Sequence, residues 1–219
     1  MELVGTAYHP NFGGQVRYQA VPLSTDPDTQ VAQTIALMRA NVRADSSSWP
    51  IQRDAAAMDS GTGDDCSDAW DWARKRVHFQ QDEQTAAPLQ PYFDDDIVEV
   101  LIRPRDLADM DRPVEDCDGF HQYVPALLRA KGVPCNFVTV AADAREPDRF
   151  SHVYVACYPN GKRIALDASH GAYPGWEVPE MYVGRKREWP IDGPDWEGLA
   201  MVAGFIAALV IASKLLGVL

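Results

Sequence analysis

The chain has 219 residues, 46% of them hydrophobic, with a formal charge of −12 and a pI near 4.7. That is enough apolar material for one ordinary core plus appendages, so neither a miniprotein nor a disordered tail fits. So negative a chain is also excluded from nonspecific nucleic-acid binding, which needs cations to set against the phosphates.

Cys66, Cys117, Cys135 and Cys157 lie far apart, form no CxxC pair and follow no signal-peptide pattern. The expectation is reduced thiols in a cytoplasm-like compartment, without a disulfide framework or a zinc ribbon. In chain order, residues 1–25 form a β-like segment. Its runs at 3–8 and 15–21 flank the turn-rich His9-Pro10-Asn11-Phe12-Gly13-Gly14 and predict an edge hairpin, with His9 as a surface imidazole. Ser24-Thr25-Asp26-Pro27 then reads as a helix start, and Val31, Ile35, Met38 and Val42 share one face behind it. A loop over 45–64, broken by a short helical piece near 54–58, leads to a second helix from Ser67 through Trp70, Trp72 and Phe79. Cys66 stands at the start of that helix and is a rival nucleophile. The run Asp94-Asp95-Asp96 reads as solvated surface rather than a metal site.

The stretch 115–132 carries the strongest chemical signal. Cys117 stands where a helix begins, with Asp116 and Asp118 as first-turn acids, Phe120, Val124, Leu127 and Leu128 at helical spacing, and Lys131-Gly132 as the stop. Unpaired amides and the positive end of a helix favour a thiolate, the form that attacks a carbonyl. Residues 135–141 then read as a strand. Next, Asn160-Gly161 separates two alternating runs, which predicts a type I′ hairpin. In that register His152 faces Ser169 and Tyr154 faces Asp167, so His152 and Asp167 are diagonal neighbours on one face. Val153, Val155, Cys157, Ile164 and Leu166 point the other way, into a core. A nucleophile, a general base and a carboxylate to orient it are thereby placed together as Cys117, His152 and Asp167.

This order, 35 and 15 residues apart, resembles that of the transglutaminase-like superfamily of cysteine acyl-transferases and proteases, which share the papain-like core. The resemblance covers about 26–171. Asp116-Cys117 matches part of the family's Gly-Asp-Cys motif, and Leu127-Leu128-Arg129-Ala130-Lys131-Gly132-Val133-Pro134 is similar to its helix ending. The segment 72–79 is similar to the helix preceding the catalytic one, and Arg103-Pro104-Arg105-Asp106-Leu107 to the proline turn before the motif. His152-Val153-Tyr154-Val155 and Ala165-Leu166-Asp167 match the histidine and aspartate strands. The resemblance implies an α+β domain over 26–172 with a catalytic helix packed on an antiparallel sheet. It further implies an enzyme acting on a peptide or protein amide through a thioester on Cys117, with no cofactor and no metal. Glu115 in place of glycine, and Pro125 inside the helix, depart from the pattern. Pro125 should kink the helix or split off its first turn. The Cys117 amide is an oxyanion donor by analogy, with Gln80 or Gln81 as a guess for the second. A Cys117/His121/Cys135 metal group fits no common zinc spacing, and His170 reads as a loop residue beside the site.

Residues 173–198, with Trp176, Trp189 and Trp196, read as a Pro/Gly/Trp-rich linker. Residues 199–219 form a hydrophobic helix long enough to span roughly 30 Å of bilayer, with Ala200, Gly204, Ala208 and Ala212 on one face. A membrane anchor follows, with Arg185, Lys186 and Arg187 on the cytoplasmic side. The alternative is a helix packed in a homo-oligomer or in a bacteriophage virion, as a tail, capsid or DNA-delivery component.

Overall fold

The computed structural model describes residues 3–9, 14–61, 63–80 and 98–193. Strands β1 (Leu3–His9) and β2 (Gly14–Pro22) pair antiparallel, the hairpin that the alternating runs predict. Helix α1 (Pro27–Asp45) begins at Asp26, whose carboxylate accepts the Thr29 amide at 2.9 Å, and it buries Ile35, Met38 and Val42. The short helical piece near 54–58 is the longer α2 (Trp49–Ala57).

Helix α3 (Asp65–Arg76) stops earlier than its apolar pattern implies. Val77 turns extended, the His78 amide donates to Pro113 O at 2.8 Å, and Phe79 belongs to β3 (His78–Phe79). β4 (Val98–Leu101) joins β2, giving a sheet ordered β1-β2-β4. The proline turn is the short helix α4 (Pro104–Asp109), followed by β5 (Val114–Glu115), which runs parallel to β3.

Helix α5 (Cys117–Ala130) is the axis of the domain, and it continues unbroken through Pro125. The split expected there does not occur because every side chain from Gly119 to Leu128 is buried, so packing holds the helix where one backbone bond is missing. Its polar groups are matched from three sides. Asn41 of α1 donates to Gln122 at 2.8 Å, Tyr123 donates to Asp54 of α2 at 2.5 Å, and Trp72 of α3 donates to the Tyr123 hydroxyl at 3.0 Å. The stop is a Schellman-type cap: Gly132 has φ 75 and the Val133 amide returns to Leu128 O at 2.9 Å.

β6 (Cys135–Ala141), β7 (His152–Cys157), β8 (Ile164–Leu166) and β9 (Arg185–Pro190) form an antiparallel sheet ordered β8-β7-β6-β9. Val153, Val155, Cys157 and Leu166 face the main core, and the opposite face buries Val138, Val140, Tyr154, Ala156 and Ala165. The architecture is α+β, with the central helix packed on an antiparallel sheet.

Three expectations are corrected. The region expected to be a linker supplies β9, because Trp189 and Ile191 are core residues and the Trp189 indole donates to Thr139 at 2.9 Å. Its basic run lies on the surface of that strand, where Arg185 pairs with Asp28, Lys186 with Glu177, and Arg187 lies over the Trp189 ring. Cys66 and Cys157, expected to be reduced, form a disulfide, and with both cysteines fully buried Cys66 is no rival nucleophile. The pairing also removes the ground for expecting a cytoplasm-like compartment. The aspartates 94–96 and the hydrophobic segment 199–219 lie outside the described residues. Among the described residues, no helix is long and apolar enough to cross a membrane.

Candidate active site

Cys117 is the first residue of α5 because Asp116 caps it, its Oδ1 accepting the Asp118 amide at 2.9 Å. The thiol is half-buried and donates to Asp118 Oδ1 at 3.6 Å. Attack on a carbonyl from here needs a base to take the thiol proton.

The groups that could supply one come from the hairpin. Asn160 and Gly161 both have positive φ, 52 and 79, and the Lys162 amide closes the turn onto Pro159 O at 3.0 Å. Val155 therefore pairs with Leu166 and Cys157 with Ile164, the register expected from the Asn-Gly pair. His152 opens β7 and Asp167 follows β8, and the imidazole Nε2 lies 2.8 Å from Asp167 Oδ2.

Asp167 is fully buried and held from every side. Its Oδ1 accepts the Ser169 hydroxyl at 3.0 Å and the His170 amide at 2.9 Å, and its backbone oxygen accepts the Trp70 indole and the Gly171 amide, each at 2.9 Å. Residue 171 must be glycine, since a Cβ there would lie 2.5 Å from Asp167 O. Burial alone would raise the Asp167 carboxyl. The His152 hydrogen bond, with the positive potential of the neighbouring imidazoles and the His170 amide, holds it instead well below the usual carboxylate range. His170 stands beside the site, its ring 5.0 Å from that of His152.

Glu115 does not crowd the thiol. Its side chain crosses the first turn of α5 in the space left by Gly119, where a Cβ would meet Glu115 Cγ at 2.3 Å, and its Oε1 accepts the Ile102 amide at 3.1 Å. It lines neither of the two cavities that meet at Cys117 and His152, one of about 230 Å³ and one of about 950 Å³. Their walls share Gln30, Asp116, Cys117, Arg149, Ser151 and His152. The arrangement can present a carbonyl to the thiol with space on both sides. Gln80 is drawn close by its amide, which donates to Glu115 O at 3.0 Å; Gln81 lies outside the described residues.

Two titratable groups, His121, weighed above as a metal ligand, and Glu99, are buried, which nothing in the sequence marks. His121 is completely buried, with Nδ1 2.7 Å from Cys117 O and Nε2 accepting the Ala168 amide at 3.1 Å. It does not join Cys135, which lies opposite Cys157 in the sheet and whose thiol is pushed up to about 12 by burial. Glu99 lies in the wall of the smaller cavity, its Oε2 accepting the Thr34 hydroxyl at 2.7 Å. Burial pushes this carboxyl up to about 7; the Thr34 bond opposes the shift and the negative charge of Asp116 adds to it. Among the described residues, His152, Asp167 and His170 form one trio with ligand atoms within 4.8 Å, and Asp116, Cys117 and Asp118 another. A cation in the first would have to displace the hydrogen bonds already made to both Asp167 oxygens.

These shifts have opposite signs. Glu99 titrates near 4.5 unfolded and about 7 folded, so the stability it contributes is intact below pH 4.5 and lost as pH rises through 7. Burial lowers His121 from 6.5 to about 4, so its contribution is present above pH 6.5 and lost as pH falls through 4. The two offset each other between these limits. Glu99→Gln keeps an acceptor for Thr34, so it is expected to gain about 2–3 kcal/mol over wild type at pH 8 and nothing at pH 4. The variant should also expose an acid-labile slope that wild type hides. Urea unfolding across this range measures both, and parallel profiles for the two proteins would refute it.

No family model matches the chain, and no curated protein matches it. Among solved structures it is similar to a candidate cysteine protease from Cytophaga hutchinsonii, with 17% identity and a TM-score of 0.39. The match covers 79% of this chain and 55% of the other, so the chain spans little more than half the length of that protein.

Proposed function

We propose that this chain is a transglutaminase-like cysteine hydrolase or acyl-transferase acting on an amide. The observation that carries the reading is the 2.8 Å contact between His152 and buried Asp167, in a cavity wall shared with Cys117 at a helix start. With Nε2–H donated to Asp167, the lone pair on His152 Nδ1 takes the thiol proton. Sγ then bonds to the amide carbon, the C–N bond breaks, and the imidazolium returns the proton to the leaving amine. Water or a second amine, deprotonated by His152, releases the acyl group from the thioester as an acid or a new amide.

The test is iodoacetamide alkylation of each cysteine from pH 5 to 9, read by peptide mass spectrometry, in wild type and His152→Ala. Cys117 is expected to label fast already at pH 6, and roughly a hundredfold more slowly in the variant, because an unassisted thiol is nearly all protonated there. If Cys117 responds to pH like an ordinary thiol and ignores His152, the reading fails. Amide peptides, with and without an added amine, would then separate hydrolysis from transfer.

A further inference from the structure

The proposed chemistry leaves one buried imidazole unused, that of His121. Its ring touches both halves of the site. Nδ1 lies 2.7 Å from the carbonyl of Cys117, and Nε2 takes the amide of Ala168, the residue after Asp167. A backbone amide only donates, so Nε2 must be the lone pair and Nδ1 must carry the proton, which it gives to Cys117 O. A charged ring would set Nε2–H against the Ala168 N–H in a site with no water-accessible surface. The titratable groups facing the ring are Asp167, with Oδ1 3.8 Å from Nε2, His152, with ring centroids 6.0 Å apart, and His170.

The position of the ring in the helix matters as well. Pro125 has no N–H, so the bond that would close onto the carbonyl of His121 is missing from α5. The missing bond lies one turn after the thiol, at His121 itself, and there the His121 side chain ties the helix to the turn that follows β8.

We propose that His121 is a positioning residue, a neutral Nδ1–H clamp that fixes the nucleophile's turn of α5 against the Asp167 turn and so sets the distance between Cys117 and the His152–Asp167 pair. This rests on the thiol reading proposed above.

Two measurements test it. Long-range 1H–15N correlation of the imidazole nitrogens in wild type is expected to show His121 neutral, protonated on Nδ1 and unchanged from pH 6 to 9. An Nε2–H ring or a cation at pH 7 overturns the clamp, whatever Cys117 does. Alkylation of Cys117 is then followed against pH in His121→Phe and His121→Gln. The phenyl ring fills the space but removes both hydrogen bonds, so labelling at pH 6 should be at least about tenfold slower, with the profile moved to higher pH. Glutamine can face its N–H to Cys117 O and its oxygen to Ala168, and should restore most of the rate. A folded Phe variant with the wild-type profile overturns the proposal; if that variant does not fold, the wild-type tautomer decides. Failure of the catalytic reading shows instead as His152→Ala labelling like wild type.

Discussion

Asp167→Asn is expected to remove almost all activity although it replaces only one oxygen by an NH2 group. Oδ2 receives His152 Nε2, while Oδ1 receives both the Ser169 hydroxyl and the His170 amide. An amide has one oxygen and one NH2. If the oxygen stays with Ser169 and His170, the NH2 faces Nε2 and forces the His152 proton onto Nδ1, the nitrogen that should take the thiol proton. In the other orientation the NH2 points at two donors in a fully buried site. The second orientation keeps the productive tautomer but strands the NH2 and the His170 amide without acceptors, so the first is favoured and the tautomer is lost, for which a triad carboxylate typically loses about 10⁴-fold in turnover. Cys117 alkylation at pH 6 should fall in step with His152→Ala. Wild-type labelling in a folded Asp167→Asn chain would mean that the carboxylate does not orient the base.

Removing the disulfide is expected to cost the most stability. Cys66 and Cys157 close a loop with a sequence separation of 91, their Cα atoms 6.3 Å apart. In the chain-entropy account a loop of that length is worth about 4.6 kcal/mol, so Cys66→Ala/Cys157→Ala should lower the unfolding free energy by nearly that much and Tm by roughly 10 °C. The bridge joins the start of α3, whose Trp70 holds Asp167 O, to the end of β7, whose first residue is His152. Thermal and urea unfolding measure the loss, and thiol titration in denaturant without reductant gives an independent check. Two titrating thiols fit the bridge; four would show that it is absent.

Much of the site was legible because it is local. A capping aspartate, a helix-start cysteine and an Asn-Gly turn are each decided by a few neighbouring residues. The period of two in a strand then carries the turn's register out to His152 and Asp167. The same holds for α1, whose cap and apolar face are both written in consecutive residues. His121 and Glu99 were not legible, since nothing adjacent distinguishes a buried imidazole or carboxyl from an exposed one. The disulfide was missed for a related reason, because its partners meet only after α3 packs against the sheet. The linker reading failed at 185–190 because proline, glycine and tryptophan signal turns but not what a turn leads to. By itself, then, the sequence determined the helix that carries Cys117 and the hairpin that pairs His152 with Asp167, through short-range capping and turn chemistry. Only the tertiary structure decided that Glu115 passes under Gly119, that β9 completes the sheet, and that His121 lies between the two halves of the site. Those outcomes depend on which surfaces exclude water from one another, a property of the packed chain rather than of any short segment of it.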